Sequence, residues 1–246
     1  MRKLITFVLI SSILSIASLP AFAQTTESKP HLIINSISQP LFTTKNKDGF
    51  LDVLLLEAFR RIGASFQIVK LPAERGLISA NEGIVDGDLS RVKGLNKIYK
   101  NLIRVPEALR DADFCALSKN PIILNNPDNL RKYIVGHIKG WKIYEKMMTG
   151  SNKVITTDNP IQLIRLLKLN RIEVALYNCI NGLTLSRNLG IKEVKILQPS
   201  FPKIQFFLYL NKKYNYLIPS LTKALSDLKD EGIYQKLYQE KITLKK

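Results

Sequence analysis

The chain has 246 residues, with 37 lysines and arginines against 20 aspartates and glutamates, a formal charge of +17. The lysines are spread along the sequence, which reads as a solvated basic surface that draws anions at long range rather than as a specific polyanion site. Two cysteines and two histidines, His31 and His137, form no C-x-x-C or H-E-x-x-H pattern and stand by no carboxylate cluster, so no metal site and no cofactor are expected.

Residues 1–23 read as a secretory signal peptide. Arg2 and Lys3 precede an uncharged apolar run over residues 4–19, followed by Pro20 and the small-residue sequence Ala21-Phe22-Ala23. The run is shorter than the roughly 20 residues that span a bilayer. Cleavage after Ala23 is therefore expected, and loss of Arg2 and Lys3 lowers the charge from +17 to +15. An exported chain is not expected to meet nucleic acid, and an oxidising compartment permits Cys115 and Cys179 to pair.

In chain order, residues 31–36 predict a short apolar strand. After a turn-rich stretch, Leu51, Leu54, Leu55, Ala58, Phe59 and Ile62 share one helical face. Gly63 stands where a helix C-terminal glycine belongs, and Arg60 and Arg61 complement the carbonyl end. Residues 65–69 read as a strand, and the strand-helix-strand order places the two strands parallel. Leu71-Pro72-Ala73-Glu74-Arg75-Gly76 leads a short helix through Asn81, and a third parallel strand is predicted around residues 85–89.

Residues 113–118 predict a strand running between two lobes, and Pro121 breaks the pattern. A second set then repeats the first: a strand at Ile134-Val135-Gly136, a helix over residues 140–148 and a strand at Val154-Ile155. Asp158 or Asn159 caps a further helix with Pro160 in its first turn and Ile161, Leu163, Ile164 and Leu167 as its buried stripe. Strands follow over residues 174–177 and 206–210. Pro219 opens a helix carrying Leu221, Leu225 and Leu228 at helical spacing, and Gly232 ends it.

Four phrases in this order and spacing carry a resemblance: Gly49-Phe50-Leu51-Asp52-Val53-Leu54-Leu55-Leu56-Glu57-Ala58, Gly83-Ile84-Val85-Asp86-Gly87, Arg171-Ile172-Glu173-Val174-Ala175-Leu176, and Leu225-Ser226-Asp227-Leu228-Lys229-Asp230-Glu231-Gly232-Ile233-Tyr234. Over about residues 31–240 the chain resembles the amino-acid-type family of bacterial extracellular solute-binding proteins, the periplasmic components of ABC importers. The resemblance implies an α/β, two-lobed periplasmic-binding-protein-like (type II) fold with two crossing hinge strands, here near residues 114–119 and 199–205. Lobe one would comprise residues 24–116 and 203–246, and lobe two residues 117–202. The implied protein is a periplasmic monomer that closes over a small-molecule ligand and serves an inner-membrane ABC permease or a sensor.

In that family an arginine of the first lobe clamps the ligand carboxylate, since its planar fork matches that anion. Arg75 and Arg91 are the candidates, with Asp88 and Ser90 beside Arg91 at the strand edge where open α/β sheets present their crevice. The family's usual T-P-E-R type phrase is replaced here by Arg91-Val92-Lys93-Gly94-Leu95. Where an aspartate often meets the ligand ammonium, this chain has Asn178, which offers no charge. Gly140-Trp141-Lys142 falls where a helix N-terminus faces the cleft. Trp141, Tyr177 and Phe42 are read either as stacking platforms or as packing residues. Cys115 and Cys179 both fall near the cleft base, as a disulfide there or as separate thiols.

The function expected is binding of a small polar, carboxylate-bearing solute by lobe closure, for transport or sensing. The alternative is a periplasmic enzyme on the same scaffold resembling cyclohexadienyl dehydratase, with Glu74, Asp86 and Asp88 as acid or base candidates. No nucleophile elbow and no P-loop accompany them, so catalysis is not expected and no catalytic residue is assigned.

Overall fold

The protein is described from a computed structural model, over residues 29–37, 41–199, 201 and 203–243. The signal peptide expected over residues 1–23 lies outside the described residues. The chain begins with β1 (His31–Asn35), α1 (Phe50–Arg61), β2 (Ser65–Val69), α2 (Ala73–Glu82), β3 (Gly87–Arg91), β4 (Leu102–Arg104) and β5 (Arg110–Ala112). A second group follows: β6 (Phe114–Ser118), β7 (Val135–Ile138), α3 (Lys142–Met147), β8 (Val154–Thr157), α4 (Pro160–Lys168), β9 (Val174–Asn178), α5 (Cys179–Asn188) and β10 (Lys195–Ile196). The chain returns through β11 (Ile204–Asn211) to α6 (Ile218–Asp230) and α7 (Ile233–Tyr238).

Two sheets result. In the first, the order is β2-β1-β3-β11-β4, with β1 parallel to β2 and β3 and β11 antiparallel to β3 and β4. In the second, the order is β10-β6-β9-β7-β8, with β7 parallel to both its neighbours. The join is made by β5 and the first residues of β11, which pair antiparallel with Arg110 opposite Phe206 and Ala112 opposite Ile204. β5 runs straight into β6, so the chain leaves the first sheet at Arg110–Ala112 and comes back at residues 204–206. Residues 114–118, expected to cross, are instead β6, held inside the second sheet between β10 and β9. The crossing comes earlier because Phe114, Cys115, Ala116 and Leu117 are all buried by that sheet's own helices and neighbours.

The helical face read from the sequence is the buried one. Leu51, Leu54, Leu55, Ala58 and Phe59 of α1 pack with Leu221, Leu225 and Leu228 of α6 over Leu32, Ile34, Leu89, Leu208 and Leu210 of the sheet. Burial of this size drives the lobe's folding at about 1.5–3 kcal/mol per large apolar side chain. In the second sheet one face buries Val135, Val174 and Leu176 under Phe114 and Tyr144, and the other buries Leu117 and Ala175 under Leu163, Ile164 and Leu167. Helix α5 was not predicted. It starts on the residue after β9 with no loop, and the Asn178 side chain caps it by accepting from Asn181 N at 3.2 Å.

Candidate ligand site between the lobes

In the first sheet β1 lies between β2 and β3, so the connections leaving its carboxyl end and that of β3 diverge and open a crevice there. Polar side chains are buried at this edge. Ser36, just past β1, has its hydroxyl 3.2 Å from that of Thr43. Ser90, near the end of β3, has a φ of 61° and a buried hydroxyl with no hydrogen-bond partner among the described residues. A positive φ in a residue bearing a Cβ is held only where its surroundings impose it.

The backbone turn at Ser90 decides the fate of Arg91. Residues three apart on a regular strand point to opposite faces, yet Arg91 Nε reaches Asp88 Oδ1 at 2.8 Å and Nη2 reaches Oδ2 at 2.9 Å and the Ala73 carbonyl at 2.8 Å. Asp88 is fully buried and Arg91 is 5% exposed. Burial pushes the Asp88 carboxyl above its ordinary range while the Arg91 charge pulls it down. Arg91 is thus engaged inside the first lobe with a buried carboxylate and a backbone carbonyl. Arg75 is exposed on α2 and forms no ion pair among the described residues.

A different arginine sits at the junction. Arg110 is 6% exposed, and its guanidinium lies 4.1 Å from the centroid of the Phe42 ring and 4.6 Å from that of Phe206. Tyr177, Tyr234 and Tyr238 are near enough to act on its charge, and burial draws its pKa down to about 10. Ring contacts continue on both sides. Phe42 meets Phe50, which meets Tyr234 and Tyr238 in the first lobe; Phe206 meets Phe114, which meets Trp141 in the second.

Trp141 stacks on Tyr144 with planes 6° apart and lies 5.1 Å from Tyr177, whose phenol burial pushes up to about 12. Trp141, Tyr177 and Phe42 are therefore tied into one aromatic belt across both lobes. Asn178 caps α5 and donates to the Asp113 carbonyl at 3.1 Å. Behind it Cys115 and Cys179 are joined in a disulfide that pins the start of α5 to β6, next to the Cys115–Tyr177 strand pair. The backbone N–H groups expected to greet an anion near Trp141 are engaged: Gly140 N donates to Glu145 Oε1 at 2.7 Å and Trp141 N to the Ile138 carbonyl.

The lobes also touch at a second place. Lys142 of α3 reaches Glu74 of α2 at 2.7 Å and Glu145 at 2.8 Å, and Tyr99 donates to Glu74 at 3.1 Å. Gly140, with a φ of 82°, packs so closely on Ala73 and Glu74 that an added Cβ would collide with the Glu74 backbone nitrogen. Arg110, Phe206 and this latch were not singled out from the sequence. A lone basic residue in a three-residue strand carries no periodic signal, and its partners are distant along the chain.

No protein-family model matches the chain. An uncharacterized protein of Shewanella oneidensis is 22% identical over 223 residues, which cover 87% of this chain and 83% of that protein. Among solved structures, an ancestral arginine-binding protein bound to glutamine superimposes with a TM-score of 0.70 at 19% identity, covering 87% of this chain and 99% of that one. A histidine kinase sensor domain with similarity to periplasmic binding proteins gives a TM-score of 0.76 at 13% identity, covering 87% and 96%. The chain has the two-lobed, periplasmic-binding-protein-like α/β fold.

Proposed function

We propose that the protein binds a small polar solute in the cleft between its lobes and works by their closure, without chemistry. The observation that carries this reading is the aromatic belt running from Phe42 through Phe206 to Trp141 and Tyr177, set across two hinge strands at the carboxyl edge of the first sheet. The structural neighbours include one protein that binds amino acids and one kinase sensor, so delivery to an inner-membrane permease and service to a sensor are both consistent with the fold. The export leader supports a periplasmic location.

The acid and base candidates are already engaged. Glu74 holds Lys142 and Tyr99, Asp88 holds Arg91, and Asp86 accepts from Ile33 N at 2.7 Å and pairs with Lys213. A carboxylate locked in this way is poorly placed to take a proton from a substrate.

Thermal unfolding of the purified protein against amino acids, organic acids, sugars and amines tests the reading. A bound solute raises the midpoint progressively with its concentration, by mass action on the native state. A flat response across the whole set rejects it.

A further inference from the structure

The cations that are spread along the sequence are not spread evenly over the molecule. Residues 117–202 carry 13 lysines and arginines against 5 aspartates and glutamates, and the second sheet sorts part of that excess to one edge. Val135 of β7 stands opposite Val154 of β8 and Val174 of β9, so the amino ends of these three strands lie in a row. The end of β6 and the start of β10 extend it, with Leu117 opposite Ala175 and Ser118 opposite Lys195. The carboxyl ends of β7 and β9 point the other way, toward Gly140 and Tyr177 at the junction of the lobes.

Each strand brings a cation to this edge. Lys132 stands three residues before β7, Lys153 directly before β8, Arg171 three residues before β9, Lys119 directly after β6 and Lys195 at the head of β10, while Lys168 arrives at the end of α4. All but the half-buried Lys119 are exposed. Five strands at about 4.8 Å spacing make the row about 20 Å wide. The ammonium groups meet neutral acceptors: Lys119 Nζ donates to the Lys168 carbonyl at 2.9 Å and to Asn170 Oδ1 at 2.8 Å, Lys153 Nζ to the Lys132 carbonyl at 3.1 Å, and Lys168 Nζ to the Leu189 carbonyl at 2.7 Å. These bonds fix the heads without cancelling charge. The ion pairs among the described residues lie in the first lobe or at the Lys142 latch. Of the acids flanking the row, Glu193 is exposed and Glu173 accepts from Ile134 N at 2.7 Å.

Apolar side chains stand among these charges. Leu169, next to Lys168, is 66% exposed, and Ile123, 82% exposed, lines with Lys195 a groove of about 280 Å³. We propose that this edge seats the protein on an anionic lipid surface, with the row of cations on the headgroup phosphates, Leu169 and Ile123 in the interface, and the junction of the lobes turned away. A soluble polyanion would satisfy the cations but offers nothing to the leucine and isoleucine beside them, whereas the boundary between headgroups and acyl chains takes both. The proposal does not depend on the solute-binding reading, because the edge is at the end of the sheet away from the cleft.

Flotation of the purified protein with vesicles tests it, using equimolar phosphatidylglycerol and phosphatidylcholine against phosphatidylcholine alone. Binding is expected to the anionic vesicles only, and to weaken at least tenfold between about 0.01 M and about 0.15 M salt, as the screening length falls from about 30 Å to about 8 Å. At the higher salt, Lys132→Gln, Arg171→Gln and Lys195→Gln combined should weaken binding about a hundredfold, at about fivefold per charge. The same change of charge on the first lobe, Lys97→Gln, Lys212→Gln and Lys236→Gln combined, should alter it less than about threefold. Leu169→Ser should weaken vesicle binding about fivefold and leave binding to soluble polyphosphate unchanged.

No binding to anionic vesicles at the lower salt overturns the inference, as does equal binding to neutral ones; both outcomes are read on the unaltered protein, so they stand even if a variant does not fold. Equal loss in the two triple variants places the attraction in the overall charge and overturns it too. Binding to polyphosphate without vesicle binding, or full vesicle binding by Leu169→Ser, makes the edge a plain polyanion surface and rejects the lipid assignment.

Discussion

The two buried arginines show how the same side chain is accommodated in two ways on either side of one strand, β11. Arg91 sits within the first lobe beside a fully buried aspartate, with two bonds to the carboxylate and one to a carbonyl. Arg110 sits between lobes under two aromatic rings. A buried ion pair is costly to break from one side because the surviving charge is stranded in a medium that solvates it poorly. The first arrangement ties Arg91 to the integrity of its own lobe, whereas the second sets Arg110 among the rings at the junction.

Methionine, close in length and apolar, separates the two most sharply. Arg91→Met strands Asp88 and should cost about 3–5 kcal/mol of stability, measured by urea denaturation at neutral pH. Arg110→Met keeps contact with the Phe42 and Phe206 rings through its thioether, so its loss should be smaller, about 1–2 kcal/mol. Equal losses in the two variants would erase the distinction.

How much of this was legible in the sequence depends on whether the cause is local. The α1 stripe was, since its apolar residues repeat at helical spacing and meet one continuous core. The helix start was legible to within a residue, as Asp158 or Asn159 before Pro160, and the structure gives the cap to Asn159. Helix α5 was hidden because it follows β9 without a break and contains Gly182, tolerated there since a Cβ would collide with Leu117. Phe42, Trp141 and Tyr177 were read as either stacking or packing residues, and their ring contacts now place them together at the junction. Asp88 and Arg91 were each noticed but not as a pair, because strand alternation sets them on opposite faces and only the positive φ of Ser90 turns one onto the other. Arg110 meets its rings only once both crossing strands are in place.

The second meeting place of the lobes can be broken without touching either arginine. Gly140→Ala adds a methyl where the Ala73–Glu74 backbone lies, at a φ of 82°. Gly150→Ala pays the same conformational penalty at a φ of 81°, but its nearest atom, Arg131 Nη1, is 4.0 Å away. Both should lose about 1 kcal/mol from the left-handed backbone. Only Gly140→Ala should also separate the lobes, seen as an increased radius of gyration in X-ray scattering. A matching increase in Gly150→Ala would mean that the Gly140 contact does not hold them.

The smallest effect expected is at the ion pairs beside that glycine. Lys142→Met removes the bridge from α3 to Glu74, whose side chains are 17% and 25% exposed, and should cost no more than about 1 kcal/mol, less at high salt. Burial works against both charges at Lys142 and Glu145, yet their mutual contacts prevail: the Glu145 carboxyl is held below its ordinary 4.5, and Glu74 and Glu145 raise the Lys142 ammonium above its ordinary 10.5. A lowered carboxylate lends stability that is full above its unfolded value and is lost as pH falls through the folded one. A raised ammonium lends stability that is full below its unfolded value and is lost as pH rises through the folded one. Of the two, it is Lys142 that reaches the other lobe through Glu74, so the latch is full below about pH 10.5, and scattering should show the lobes loosening in the wild type as pH rises beyond that. Lys142→Met should show a smaller change over the same range, because the attraction that alkali abolishes is already gone; loosening of equal size would place its source elsewhere, with the aromatic belt around Arg110 the next contact to vary.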